Sequence, residues 1–151
     1  MRKLQLIKNQ SGVVLYSCLA NTRRKAVIRA IQDGINLSGA DLFGINLSGA
    51  DLFGINLSDT NLFAANLSRA DLRGTNLSRA DLRGAELCAA DLRDTNLFAA
   101  NLSGAVLRGA NLYRANLNNA NLWDLGQDSR GYRFFLYFDK EAKTFTVCAG
   151  R

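Results

Sequence analysis

The chain has 151 residues, a formal net charge of +6, three cysteines and no histidine. At this length a single structural unit is expected. No apolar run approaches the roughly 20 residues that a membrane helix needs, and Leu4 to Ile7 is too short for a secretory signal. These features predict a cytoplasmic protein without a membrane segment.

Motifs for catalysis and metal binding are missing from the sequence. Cys18, Cys88 and Cys148 lie far apart and lack the paired spacing of a disulfide framework or a zinc site. Without histidine or a glycine-rich phosphate loop, serines such as Ser38 have no partnering base. The sequence therefore predicts a protein that is not an enzyme and that has no cofactor or metal.

The first element expected in the chain is a β-hairpin over Leu4 to Leu19. Apolar stretches at Leu4–Ile7 and Val13–Tyr16 flank the connection Asn9–Gly12, which is rich in residues that favour turns. Two short strands joined in this way pair antiparallel.

A helix is expected next, with Thr22 as its N-cap and Asp33-Gly34 as its end. An apolar stripe would pack inward, formed by Ala26, Val27, Ala30 and Ile31. The opposite face would carry three cations, which are Arg24, Lys25 and Arg29. Residues 1–34 thus form a predicted hairpin and helix that cap the segment after them, because an open coil would expose apolar side chains and unpaired strand edges.

Residues 35–124 contain a leucine at every fifth position, from Leu37 to Leu122. Two residues before each leucine stands Ala, Thr or Ile. Between the two stands Asn or Asp, with Glu86 and Val106 as the exceptions. The repeated unit is therefore Ala-Asn/Asp-Leu-x-x.

A period of five fits neither a single helix nor a flat strand. On an α-helix, successive leucines would lie about 140° apart and surround the whole cylinder. On a strand they would alternate between faces. If the chain instead turns through a right angle after each unit, all the leucines point inward, and four units close a coil of twenty residues. The segment then holds about 4.5 coils, stacked at the ~4.8 Å spacing of paired strands.

This unit closely resembles the signature of the pentapeptide repeat family, and the resemblance extends over residues 35–124. It implies an all-β solenoid, a right-handed quadrilateral β-helix. It also implies a function, because some members of the family resemble duplex DNA in width and surface charge. Those members bind type II topoisomerases such as DNA gyrase in place of DNA, and they inhibit or protect the enzyme.

A second β-hairpin is expected in residues 125–151, where it would cover the last coil. Apolar residues alternate along its two strands, at Phe134, Leu136 and Phe138 and then at Phe145, Val147 and Ala149. The turn between the strands is expected at Asp139 to Ala142.

A count by twenty places Asp51, Asp71, Asp91 and Asn111 in one outward column. This column could be an acidic stripe or a weak cation site. Against that, Arg73 and Arg93 follow Asp71 and Asp91 by two residues, close enough to neutralise them. A structural role is favoured for the column, and also for the asparagines at 36, 56, 76, 96 and 116, because stacked amides bond along a ladder and Asn or Asp stabilises turns.

The residues that follow the leucines form aromatic and basic columns. One column reads Phe43, Phe63, Arg83, Ser103 and Trp123, and another reads Phe53, Arg73, Arg93 and Tyr113. Stacked phenylalanines and guanidinium groups form cation–π ladders. They also form an apolar and basic docking surface, since contiguous exposed apolar area marks interfaces. Burial of the phenylalanines by a cap or by a dimer partner is an equally open alternative.

Formal charge is unevenly distributed, at +6 in residues 1–34, −2 in residues 35–124 and +2 in residues 125–151. A DNA mimic needs an acidic surface, because the duplex carries a charge about every 1.7 Å. The nearly balanced repeats weaken the mimicry that the resemblance implies.

We therefore expect a non-catalytic scaffold that binds another macromolecule. The resemblance implies a protein partner, a nucleic-acid enzyme such as DNA gyrase or a nuclease, whose nucleic-acid groove the scaffold would occupy. Direct nucleic-acid binding through the basic cap and the arginine-bearing faces is one alternative. A purely structural homodimer is the other.

Overall fold

The structure, a computed structural model, describes residues 3–122 and the backbone of two further strands. In chain order the named elements are β1 (Lys3–Lys8), β2 (Val14–Ala20), α1 (Arg23–Gln32), β3 (Arg133–Asp139) and β4 (Thr144–Gly150). The repeats lie between α1 and β3. Within the described residues, no helix is long and apolar enough to cross a membrane.

The expected first hairpin is formed by β1 and β2, which pair antiparallel with Ile7 opposite Tyr16. The Oδ1 atom of Asn9 accepts the N–H groups of Ser11 and Val13 at 3.0 and 2.9 Å, as asparagine does in turns. The register shifts after Ile7. The inner side of this hairpin contributes the fully buried Ile7 to the core.

Helix α1 begins and ends where its capping residues place it. The Oγ1 atom of Thr22 accepts the N–H of Lys25 at 3.2 Å. At the other end, the N–H of Gly34 donates to the carbonyl of Ile31 at 3.0 Å, and the following N–H donates to the carbonyl of Ala30 at 2.9 Å. This pair of bonds is a Schellman motif, with Gly34 in the left-handed conformation that glycine adopts most easily. The inward stripe is buried at Ala26, Val27 and Ala30.

The repeats form a four-sided coil in which residues twenty apart are neighbours. Parallel bridges join such residues from Asp41 with Asn61 to Asn101 with Asn121. The N–H of Leu62 donates to the carbonyl of Asp81 in the next coil at 2.8 Å, whereas the N–H of Asn61 donates to the carbonyl of Ala40 in the previous one at 2.9 Å. The ladders therefore confirm the predicted period of twenty residues.

Each face of the coil is named here by its leucines. The first face holds Leu42, Leu62, Leu82, Leu102 and Leu122, the second Leu47, Leu67, Leu87 and Leu107, the third Leu52, Leu72, Leu92 and Leu112, and the fourth Leu37, Leu57, Leu77, Leu97 and Leu117. From Leu37 to Leu117 these side chains are at most 7% exposed. Alanines and buried threonines complete the core, and the Thr75 hydroxyl donates to the Leu52 carbonyl at 2.6 Å.

Every unit contains the same turn. Its second residue after the leucine is left-handed, with φ between 55° and 70° at every fifth position from Gly39 to Asn119. Glycine fits this conformation without strain, and other residues adopt it at a cost of about 1–2 kcal/mol. The Asn or Asp before the leucine stabilises the turn, because its Oδ1 accepts the N–H two residues further on, as between Asn46 and Ser48 at 3.0 Å. From Asn36 to Asn116, this bond is absent only at the two exceptions, Glu86 and Val106.

The asparagine column has the structural role that the sequence favours. On the fourth face, the Nδ2 atom of Asn76 donates to Oδ1 of Asn56 at 3.3 Å, Asn96 donates to Asn76 at 3.2 Å, and Asn116 donates to Asn96 at 3.1 Å. These amides form a ladder along the stacking direction. The side-chain amides of this column are thus hydrogen-bonded to one another.

The N-terminal elements contact the backbone of the first coil. The N–H of Asp41 donates to the carbonyl of Lys8 at 2.8 Å. From helix α1, the Arg23 guanidinium donates to the carbonyls of Asp41 and Phe43. In later coils such carbonyls accept an N–H from the coil before.

The second hairpin is formed by β3 and β4, which pair antiparallel. Their register pairs the apolar positions of the two strands, with Phe134 opposite Ala149, Leu136 opposite Val147 and Phe138 opposite Phe145. The predicted turn at 140–142, Trp123 and the side chains of this hairpin lie outside the described residues. The covering of the last coil stays a prediction.

Candidate partner-binding surface

The first face presents an aromatic ladder to solvent. The rings of Phe43 and Phe63 stack with centroids 5.7 Å apart and planes 9° from parallel. The Arg83 guanidinium lies over the Phe63 ring, 5.2 Å from its centroid. Phe43 remains 53% exposed and Phe63 37% exposed. The ladder predicted from the sequence is therefore present, and no described cap residue buries its outer end.

The third face carries a second, shorter contact of the same kind. The Arg73 guanidinium lies 5.4 Å from the centroid of Phe53, a ring that is 61% exposed. Further along this face, Tyr113 is 50% exposed. Its amide hydrogen donates to the Asn111 side chain at 3.1 Å, so the turn beneath the ring is fixed.

Three aspartates on the first and third faces, Asp71, Asp81 and Asp91, are neutralised by arginines two residues further on. Arg73 donates to Asp71 at 2.8 and 2.5 Å, Arg83 to Asp81 at 2.8 and 2.6 Å, and Arg93 to Asp91 at 2.8 and 2.6 Å. These hydrogen bonds hold the pKa values of the three carboxyl groups below their usual range, and the positive charges of the same arginines add to the effect. The predicted compensation of Asp71 and Asp91 is confirmed.

Asp51 forms no ion pair with an arginine in the described part of the chain, although the positive charge of Arg73 interacts with it. Its Oδ1 accepts the N–H of Phe53 at 3.1 Å, and its residue is exposed. A single exposed carboxylate does not make an acidic stripe. Among the described residues, no group of three or more His, Cys, Asp or Glu side chains could hold a metal ion.

The sequence predicts Arg24 on an open basic face of the helix, but its side chain lies against the first coil. Its guanidinium donates to the carbonyls of Asn46 and Ser48 at 3.0 and 2.9 Å, so it binds the open end of the first coil. Arg29 lies 3.8 Å from Asp33, and Lys25 is exposed. Two of the five N–H donors of the Arg24 guanidinium are therefore engaged with backbone carbonyls, which leaves three for a phosphate.

Two arginines have no acidic partner among the described residues. Arg69 and Arg108, both on the second face, make no side-chain hydrogen bond or ion pair with a described residue. A local signal distinguishes Arg108, because the residue two positions before it is Val106 where Arg73 has Asp71.

The signal for Arg69 is one coil away in the sequence. Arginines at its position in the turn pair with an aspartate twenty residues earlier, as Arg79 does with Asp59 at 2.6 Å. Twenty residues before Arg69 the chain has Gly49. Both exceptions could therefore be found from the sequence once the two pairing rules are known.

The N-terminal hairpin has an exposed apolar side that the sequence analysis did not identify. Leu4 and Leu19 face each other across the strands and are 62% and 61% exposed, and Leu6 on the same side is 41% exposed. This side is turned away from the buried Ile7, since side chains alternate along a strand.

The sequence matches one protein family. The family model, described as pentapeptide repeats and matched in eight copies, covers residues 30–59, 55–94 and 90–124. Proteins of this family form right-handed quadrilateral β-helices, in agreement with the predicted fold class. No curated protein matches the sequence.

Several solved structures are similar to this chain. HetL, a pentapeptide repeat protein involved in heterocyst differentiation regulation from the cyanobacterium Nostoc sp. strain PCC 7120, is 38% identical over 57% of this chain and 42% of HetL, with a TM-score of 0.54. The pentapeptide repeat protein alr5209 from Nostoc PCC 7120 is 36% identical over 64% of this chain and 93% of its own, with a TM-score of 0.55.

A third similar structure is Rfr23, a pentapeptide repeat protein from the cyanobacterium Cyanothece 51142. It is 40% identical over 52% of this chain and 57% of Rfr23, with a TM-score of 0.50. The matched part of this chain thus spans less than two thirds of HetL and of Rfr23.

Proposed function

Because this chain belongs to the pentapeptide repeat family, we propose that it is a non-catalytic cytoplasmic scaffold that binds a protein partner through the aromatic ladder of its first face. The observation that carries this proposal is the exposed stack of Phe43 on Phe63, continued by the Arg83 guanidinium. Aromatic residues and arginine supply most of the binding energy in protein interfaces.

The ladder is held in place by the coil beneath it. Leu42, Leu62 and Leu82 are fully buried under the three side chains. The N–H groups of Phe43 and Phe63 donate to Asp41 and Asn61 at 3.2 and 3.1 Å, so the backbone of both turns is fixed. A surface organised before binding loses little conformational entropy on association, which favours affinity.

The scaffold consists of a capped rod. Residues 1–34 cap the first coil, since Arg23 and Arg24 occupy carbonyls that would otherwise stay unpaired. In this proposal residues 35–124 form a rod of about 4.5 right-handed coils, which the parallel bridges from Asp41 to Asn121 support. The capping of its other end by residues 125–151 is a prediction that lies outside the described residues.

A more specific form of the proposal gives the partner as a nucleic-acid enzyme, DNA gyrase or a nuclease, whose nucleic-acid groove the rod occupies. The regulatory role of HetL, which shares the repeats, supports a regulatory rather than a catalytic function. The paired aspartates at 71, 81 and 91 reduce the negative charge that mimicry of DNA requires. A supercoiling assay titrated with the protein tests this form. If the protein neither inhibits nor protects gyrase at micromolar concentration, gyrase is excluded as the partner.

The scaffold itself is tested by placing a photo-crosslinking amino acid at position 103, the next position of the same column beyond Arg83, and expressing the protein in its source cell. We expect one partner protein to be crosslinked, and we expect the yield to fall in the Phe43→Ala, Phe63→Ala double variant. Tyr113→Ala is the matched control, because Tyr113 is an equally exposed aromatic residue on another face.

Two results would contradict protein-partner binding at the first face. Crosslinking only to a second copy, together with a doubled scattering mass that the double variant restores to the monomer value, would make the ladder a homodimer contact. Equal crosslinking in the double variant and in Tyr113→Ala would show that the ladder is not the contact surface.

A further inference from the structure

The second face has two backbone N–H groups without an acceptor among the described residues, at a turn position where the other units of the coil provide one. Elsewhere from Asn36 to Asn116, an Asn or Asp oxygen accepts the N–H two residues further on. At Glu86 and Val106 this bond is missing, so the N–H groups of Cys88 and Arg108 donate to no described residue. Both lie at the same position in successive coils, about 4.8 Å apart along the ladder.

The same place gathers the unpaired guanidinium groups. Of the seven arginines between 35 and 122, the five at 73, 79, 83, 93 and 114 form ion pairs with aspartates. The remaining two, Arg69 and Arg108, line one groove of about 690 Å³. Its other lining residues are small, namely Ser48, Gly49, Ser68, Cys88, Ala89 and Gly109.

We propose that this groove binds the carboxylate of an acidic segment of a protein partner. The carboxylate oxygens would accept the N–H groups of Cys88 and Arg108, in place of the Asn or Asp oxygens that these turns lack. The guanidinium groups of Arg69 and Arg108 supply the charge, and charge-assisted bonds of this kind are the strongest in proteins. The inference rests on the proposed protein partner, but it concerns a different face.

The small lining residues allow a peptide backbone to approach. In the groove only Arg69 and Arg108 have long side chains, and the other lining residues leave the turn backbone uncovered, whereas the first face covers it with Phe43 and Phe63. An extended segment can therefore reach the two N–H groups without displacing a bulky side chain. The floor of the groove is fixed, because Leu67, Leu87 and Leu107 beneath it are buried.

A peptide carboxylate fits this groove better than a nucleic-acid strand does. Proteins that bind single strands stack bases on aromatic side chains, and no aromatic residue lines the groove. Polyanion binding also depends on many cations, whereas the described residues of this face include two, Arg69 and Arg108. Glu86 lies on this face and is exposed, so the net charge of the three groups is +1.

The test is a fluorescence anisotropy titration of the full chain with a labelled peptide of alternating Glu and Gly. The same peptide with Gln in place of Glu, and a labelled oligothymidylate, are the comparison ligands. We expect binding of the Glu peptide only, with the amide signals of Cys88 and Arg108 shifting in an NMR spectrum of the labelled protein.

Substitutions distinguish binding of the peptide in the groove from a general attraction of an acidic peptide to a basic protein. Arg69→Gln and Arg108→Gln should each weaken the Glu peptide about tenfold, as expected for loss of a charged hydrogen bond. Arg114→Gln removes the same charge from the third face and should change affinity less than twofold. Val106→Asn leaves the charge unchanged but restores the missing oxygen for the Arg108 N–H, so it should also weaken the peptide.

Three results would overturn the proposal. They are equal weakening by Arg114→Gln and Arg108→Gln, full binding in Val106→Asn, and binding of the oligothymidylate at least as tight as that of the Glu peptide. None of them affects the proposed function, because crosslinking at position 103 depends on the first face. An unchanged crosslinking yield in the Arg69→Gln, Arg108→Gln double variant would show that the groove is not part of that interface. The proposed scaffold function would remain valid.

Discussion

The second and third faces of the coil are built from the same five-residue unit and differ in what their side chains leave unpaired. On the third face, Arg73 and Arg93 bind Asp71 and Asp91, and the Asp oxygens also accept the turn N–H groups. On the second face, Glu86 and Val106 leave two N–H groups and Arg108 without such partners. In the described turns that follow residues 36 to 116, this N–H group is thus left without an acceptor only where the repeat departs from its pattern.

The difference lies in the outer layer alone, because the leucines beneath both faces are equally buried. Leu72 and Leu92 on the third face and Leu67 and Leu87 on the second are all fully inaccessible. Stability of the rod and availability of its surface are therefore set by different residues. Substitutions that act on one layer should leave the other unchanged.

The largest effect is expected from the layer that the two faces share. Leu82→Ala removes a fully buried side chain and leaves a cavity, which should lower the free energy of unfolding by about 2–5 kcal/mol. Urea unfolding measures this loss. Arg83→Ala, next to it but outside the core, is the control and should cost about 1 kcal/mol or less.

The next effect concerns the open end of the coil. Arg24→Met removes the donors to the carbonyls of Asn46 and Ser48 and should cost about 1–3 kcal/mol, since one exposed and one partly buried acceptor lose a charged donor. Amide hydrogen exchange should become faster in the first coil and stay unchanged in the coil of Leu102. Lys25→Met, on the same helix but exposed, should change neither measurement.

A pair of opposite substitutions compares a complete turn with an incomplete one. Asn76→Ala removes the acceptor of the Ser78 N–H and two amide ladder bonds, so about 1–2 kcal/mol of stability should be lost. Val106→Asn adds the missing acceptor and should stabilise the chain by about 0.5–1 kcal/mol. Thermal unfolding of both variants measures whether the Asn oxygen stabilises the turn on the second face as it does on the fourth. A Val106→Asn variant less stable than the unaltered chain would contradict this expectation.

The smallest effect is that of acid on the paired aspartates. Their pKa values are lower in the folded protein than the ordinary value of about 3.9. Stability from these pairs is therefore fully present above pH 5 and is lost as the pH falls through the lowered pKa values. In Asp71→Asn, Asp91→Asn, whose amides keep the turn bonds, the fall in unfolding free energy between pH 5 and pH 3 should be shallower than in the unaltered chain. An equal slope would show that the pairs contribute nothing.

The sequence predicts the coil well because burial alone determines it. An apolar residue at every fifth position can be buried only if the chain turns after each unit, and the turn needs the Asn or Asp that precedes each leucine. The aromatic ladder could be predicted for the same reason, since Phe43 and Phe63 are separated by one whole coil. Arg73 with Asp71 could be predicted because the pair is local.

The remaining site features depend on distances that the repeat pattern does not contain. Arg24 binds the first coil because helix α1 crosses the coil end at a particular place, and no periodicity determines that place. Arg69 is unpaired because of Gly49, twenty residues away, which has meaning only after the coils are stacked. The exposed apolar side of the first hairpin, at Leu4 and Leu19, depends on which side of β1 and β2 packs on the core.

The difference between the two faces is measured most directly by amide hydrogen exchange of the unaltered chain and of Val106→Asn. The N–H of Arg108 should exchange at least tenfold faster than the N–H of Arg93, which has an Asp91 acceptor at 3.3 Å. Val106→Asn should slow the exchange of Arg108 to the rate of Arg93 and leave Arg93 unchanged. Equal protection of both amides in the unaltered chain would show that the second face has no free donors, and the groove would have no basis as a binding site.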